Sequence, residues 1–102
     1  MTSIDESKGE RIREILAEEN SKALVYDGMD NALIGVYRGD LARQDMQEAS
    51  IAVYSFVKFI QIYIDRDGMS EEEAIEFFDF NVNGLILGKN QPIVIDDTGV
   101  WF

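Results

Sequence analysis

The sequence predicts an α+β domain, a small, mostly antiparallel sheet with about three helices packed on one face. Three observations carry that prediction. Apolar residues recur at helical spacing in separate segments punctuated by Gly, Asn and Ser, and short β-branched or aromatic runs lie between and after them. A chain of 102 residues, 46% hydrophobic and 11% aromatic, suits a single core and is too apolar for a disordered acidic chain. No repeat or low-complexity linker divides it, so residues 1–102 read as one domain, with an N-terminal amphipathic helix over 1–20 and an α+β core over 23–102.

The first helix places Ile12, Ile15 and Leu16 on one face and Arg11, Arg13, Glu14, Glu18 and Glu19 elsewhere; it is expected to fray before Gly9 and to end near Asn20. Ala23 to Asp27 and Ala32 to Arg38 are β-like runs separated by Gly28-Met29-Asp30-Asn31, which predicts a hairpin. Gly35 within the second run predicts a bulge or a close backbone approach. Residues 41–48 are polar and read as a loop or a short helical turn. Ile51 to Tyr54 is a third strand, and Ser55 is positioned to cap a helix from Phe56 to about Arg66. On a helical wheel Phe56, Val57, Phe59, Ile60, Tyr63 and Ile64 form a broad buried arc, with Ile62 outside it beside Lys58.

Asp67-Gly68-Met69 stops that helix, and Ser70 followed by Glu73 is a capping-box pattern that starts the next. Glu71 and Glu72 suit the positive end of its dipole. Along it Ala74, Ile75, Phe78 and Val82 face one way with Phe77 beside them, Glu72, Glu76 and Asp79 face away, and Asn83-Gly84 supplies the stop. Leu85 to Leu87 leads into turn chemistry at Gly88 to Pro92. Ile93 to Ile95 and Val100 to Phe102 flank Asp96-Asp97-Thr98-Gly99, which predicts a terminal hairpin.

Composition then removes classes of function. With no His and no Cys there is no histidine base, thiolate nucleophile, disulfide or His/Cys zinc site. Nine Lys and Arg against twenty Asp and Glu, a net charge of −11, oppose direct contact with nucleic acid or anionic lipid and favour a basic protein surface as partner. Ile51 to Ile64 is too short and too interrupted to span a bilayer, Met1 to Lys8 is too polar for a signal peptide, and the expected compartment is the cytoplasm. Asp65, Asp67 and Glu76 mimic calcium-loop positions, but Met69 and Ser70 stand where such a loop needs a ligand and a glycine, so no metal site is expected. Glycine spacing fits neither a phosphate loop nor a dinucleotide fold, no catalytic constellation is present, and no cofactor is implied.

The charge is localised. Residues 61–80 carry seven acidic residues against Arg66, and residues 1–20 carry six against three basic ones. Capping and solvation explain part of this. The functional reading is an acidic stripe at Glu72, Glu76 and Asp79 that docks on a basic partner. Ile62 and Phe80 lie off the core-facing arcs of their helices and are the candidate contacts of a homodimer. A self-associating structural or small-ligand-binding module is the alternative, and a carboxylate-dependent hydrolase the third reading.

The strings Asp30-Asn31-Ala32-Leu33-Ile34-Gly35-Val36, Ala52-Val53-Tyr54 and Gly68-Met69-Ser70 through Asn83-Gly84, followed by Gly88 and Pro92, resemble a group of small proteins encoded by bacteriophages and prophages. The likeness covers about residues 30–96 and is densest in the capped helix ending Phe80-Asn81-Val82-Asn83-Gly84. It implies an accessory phage protein acting in the bacterial cytoplasm and carries over no catalytic or ligand residues; the acidic stripe and the missing catalytic constellation add the expectation of a non-enzymatic protein that binds a host protein.

Overall fold

A computed structural model describes residues 4–38 and 50–99. The elements follow in the order α1 (Ile4–Glu19), a 3-10 turn (Asp30–Ala32), β1 (Leu33–Tyr37), β2 (Ile51–Ser55), α2 (Phe56–Asp67), α3 (Glu71–Phe78), a π turn (Asp79–Asn83) and β3 (Ile93–Ile95). This is a small α+β fold, as the sequence predicts.

The sheet order is β1-β2-β3. β1 and β2 pair antiparallel, but β2 and β3 pair parallel, so the sheet is mixed rather than mostly antiparallel. The reason is the connection: α2 and α3 lie between β2 and β3, and a crossover of that kind returns the chain in its original direction. Register puts Leu33 opposite Tyr54, Val36 opposite Ala52 and Tyr54 opposite Val94. These residues share one face, where Leu33, Ala52 and Tyr54 are fully buried with Ile12 and Leu16 of α1, Phe59, Ile60 and Tyr63 of α2, and Ala74 and Phe78 of α3. The opposite face carries Tyr37, Ile93 and Ile95, all exposed. The ladder shifts register between Leu33 and Gly35, the bulge expected there.

Residues 23–27 do not form the predicted strand, and there is no hairpin at Gly28 to Asn31. The backbone of this segment is satisfied by other means. The Tyr26 N–H donates to the Tyr54 hydroxyl at 2.9 Å, and the Leu24 N–H to the Asn90 carbonyl at 3.0 Å. Burial beneath Tyr26 pushes the Tyr54 hydroxyl up to about 12. Rings carry the core onward: Tyr54 meets Phe59, which meets Tyr63 and Phe78 edge-on, and Tyr63 in turn meets Phe77 at 5.1 Å between centroids.

Helix α1 does not fray before Gly9 but runs through it from Ile4. A Cβ on Gly9 would collide with the Asp30 carbonyl oxygen and lie 2.9 Å from its carbon, so glycine is what lets α1 close on the 3-10 turn. Arg13 and Asp30 pair across the same contact at 3.1 Å. At the other end of α1 the buried Asn20 joins three distant segments. Its amide donates to the Ser50 carbonyl at 2.8 Å and to the Asn90 side chain at 3.1 Å, while its side-chain oxygen accepts from the Lys22 N–H.

Ser55 caps α2 as expected, accepting from the Lys58 N–H at 3.1 Å. Its hydroxyl also donates to Asp97 at 2.5 Å, and the other oxygen of that carboxylate accepts from the Val57 N–H at 3.0 Å. Asp97, read from sequence as a turn residue, is thus buried at the start of α2. The second strand of the predicted terminal hairpin, at 100–102, and the segment 41–48 lie outside the described residues.

Candidate functional site

Helix α3 begins where the sequence places it. Gly68 takes a left-handed conformation (φ 70°), its N–H bonding to the Ile64 carbonyl and that of Met69 to the Tyr63 carbonyl, so that α2 closes. Two residues on, the Ser70 hydroxyl accepts from the Glu73 N–H at 3.1 Å and the Glu73 carboxylate accepts from the Ser70 N–H at 2.9 Å. Those bonds, the backbone one foremost, hold the Glu73 carboxyl below its ordinary value. Glu73 is therefore both a structural cap and a fixed negative charge at neutral pH.

The helix carries two stripes. Ala74, Phe78 and Val82 are buried in the core with Ile75 half-buried beside them, matching the predicted face. The second stripe is Glu73, Glu76, Phe77, Phe80 and Asn81, which with Met69 lines an open groove of about 380 Å³. After Phe78 the winding loosens into the π turn, whose middle is tied back to α3 by the Asn81 amide donating to the Phe77 carbonyl at 2.9 Å. Such turns are rare and occur frequently at functional sites. Here the turn holds Phe80 89% exposed while Val82 stays buried. Phe77 is 43% exposed, its inner edge against Tyr63, so one wall of the groove rests on the core.

Of the expected partner-binding residues, Glu72, Glu76 and Asp79 are all exposed, and Glu76 lies in the groove lining. Phe80 sits beside Glu73 and Glu76, where the helical wheel puts it. Ile62 does not join them. It is half-buried against the core and lines a separate groove of about 600 Å³ with Gly28, Asn31, Lys58, Gln61, Asp65 and Arg66. Several polar groups of that second groove already bond to one another or nearby: Gln61 to Asp65 at 2.9 Å, and Arg66 to the Gly28 carbonyl and, through two nitrogens, to Asp67. Of the carboxylates that mimic a calcium loop, Asp65 and Asp67 are engaged in those bonds, and Glu76 lies apart in the α3 groove. Among the described residues no three acidic side chains gather as a metal site would require.

Sequence reasoning missed Met69 and Asn81 as groove residues and the outward loop after α3. In that loop Ile86 is 92% exposed, and the Gln91 amide braces the chain by accepting from the Leu87 N–H at 2.7 Å and donating to the Leu85 carbonyl at 2.8 Å. The run Leu85-Ile86-Leu87 followed by Gln91 was the available signal, an apolar triplet with no strand to join. No described helix is long and apolar enough to cross a membrane. Comparison with protein-family models, curated proteins and solved structures finds no match for the chain.

Proposed function

We propose that this is a non-enzymatic accessory protein, of the kind its resemblance to phage-encoded proteins implies, that binds a basic surface of a host protein through the exposed face of α3. The observation that carries the reading is the coexistence of Phe80, almost fully exposed, with the carboxylates of Glu73 and Glu76 around one groove. A solvated helix face has no need of an aromatic ring at its end, whereas interface centres are enriched in aromatic residues. Net charge of −11 steers basic partners toward the molecule, and Glu72, Glu76 and Asp79 orient them on this helix.

Affinity capture from a bacterial host lysate tests the placement, comparing the natural chain with the triple variant Glu72→Lys, Glu76→Lys, Asp79→Lys. All three side chains are exposed and none belongs to the capping box, so the variant retains the fold, which circular dichroism checks. Loss of the captured protein in the variant, and weaker capture at 0.5 M salt, are expected. Equal capture by both chains would remove α3 as the docking face.

A further inference from the structure

We infer that the occupant of the α3 groove is a cationic amphipathic helix, whose apolar stripe seats on Phe77, Phe80 and Met69 and whose flanking Lys or Arg residues reach Glu73 and Glu76. The inference rests on the proposed docking role of α3 and names the chemistry of what docks.

Three features on the structure lead to it. The groove residues fall at positions 73, 76, 77, 80 and 81, the three-and-four spacing by which one helix presents a ridge to another. This second stripe lies beside the stripe buried in the core: Phe77 rests one edge on Tyr63 and Phe80, just past α3, is almost wholly exposed, so apolar surface continues beyond what the core covers. A groove of about 380 Å³ is at the small end of ligand cavities and fits an anchoring side chain better than a nucleotide or large cofactor. Helix-in-groove recognition reads anchors at this same spacing.

The charge pattern selects the sign of the occupant and weighs against a second copy. Apolar floor and carboxylate rim complement an apolar stripe with basic flanks. Another copy of this chain would bring its own share of −11, and residues 61–80, which include the whole of α3, carry seven acidic residues against one basic. The sharing of labour between the two groups differs. Carboxylates set attraction and its salt dependence, while the seating of an apolar anchor against Phe80 sets discrimination between a patterned helix and a merely basic chain.

The test uses the full chain and three synthetic peptides of 18 residues: an amphipathic Leu/Lys helix, a scramble of the same composition without helical periodicity, and a Leu/Glu counterpart. Binding is followed by fluorescence anisotropy of labelled peptide at 0.05 and 0.3 M salt, and located by amide chemical shifts. The expected result is that the patterned Leu/Lys peptide binds at least about tenfold tighter than the scramble and moves signals of Met69, Phe77 and Phe80, with the Leu/Glu peptide not binding. Phe80→Ala should weaken the patterned peptide about tenfold and leave the scramble unchanged. Glu76→Gln should weaken both Lys peptides and flatten their salt dependence, whereas Glu10→Gln with Glu14→Gln on α1 should alter neither peptide's preference.

Equal affinity for patterned and scrambled Lys peptides, with no effect of Phe80→Ala, would overturn the inference while leaving the acidic docking reading intact if lysate capture still depends on Glu72, Glu76 and Asp79. Binding of the Leu/Glu peptide, or concentration-dependent shifts at Phe80 in the protein alone, would overturn it in favour of an apolar or self-associating contact. Phe80 is so exposed that its loss leaves the thermal midpoint nearly unchanged, which separates lost binding from lost folding.

Discussion

Replacing Gly9 with alanine sets two effects of opposite sign against each other. In a helix interior, glycine to alanine ordinarily stabilises by about 1 kcal/mol, because glycine gives up more backbone freedom on folding. At Gly9 the new methyl group meets backbone, the Asp30 carbonyl, and not the yielding end of a side chain. Overpacking of this kind costs roughly 1–3 kcal/mol, and a contact of methyl on carbonyl belongs at the upper end. The net is a destabilisation of about 2 kcal/mol. With a denaturant slope of roughly 1–2 kcal/mol per M in urea for a chain of this size, the midpoint should fall by about 1–2 M. A second variant isolates the propensity term. Ala17 is exposed on the same helix, so Ala17→Gly should lose about 1 kcal/mol from propensity alone. A rise in the urea midpoint of Gly9→Ala would refute the reasoning, since it would mean that α1 does not lie against Asp30 at all.

Further outcomes follow from named bonds. Asn20→Ala leaves the Ser50 carbonyl without its donor and should cost about 2 kcal/mol by urea denaturation; a change below about 0.5 kcal/mol would show that the three segments are joined by something else. Tyr54→Phe removes the acceptor for the Tyr26 N–H and should cost about 1 kcal/mol by urea denaturation; an unchanged midpoint would show that this bond adds nothing to stability. Glu19 accepts two bonds from Arg38, at 2.7 and 2.6 Å, and one from Ser50, which hold its carboxyl down at about 2 from 4.5. A depressed carboxyl contributes stability above its unfolded value that fades as pH falls from about 4.5 toward about 2. Because the pair is partly exposed and screened, the contribution at pH 7 is about 1 kcal/mol or less, and the stability gap between the natural chain and Glu19→Gln should close across that acid range.

What the sequence made legible was local. The caps at Ser55 and Ser70, the stop at Gly68 and the bulge at Gly35 depend on residues within a few positions of one another, and each appears where the residue types place it. The placing of Phe80 beside Glu73 and Glu76 is likewise local, a matter of helical angle. The errors are all of long range. Ala23 to Tyr26 is a β-like run, yet the Tyr26 N–H is met by a tyrosine hydroxyl and the Leu24 N–H by a distant loop, and residue type cannot say which partner is present. The direction of β3 depends on what two intervening helices do, and Gly9 reads as a weak point until Asp30 is seen against it. Ile62 and Phe80 each leave the core arc of their own helix, and that they line different grooves depends on the relative rotation of the two helices, which no wheel contains.

The start of α2 has a consequence for the order in which the chain is made. Ser55 emerges from the ribosome with its helix, but the carboxylate that completes the cap belongs to Asp97, forty-two residues further on. Until that carboxylate is synthesised, the Val57 N–H has only water to bond, although β3, which pairs alongside β2, precedes Asp97 in the chain. A chain ending just before Asp97 would contain β3 yet leave the start of α2 without its carboxylate. Asp97, two residues beyond β3, thus ties the end of the parallel strand to the start of α2, so that one acidic residue serves both a sheet edge and a helix end.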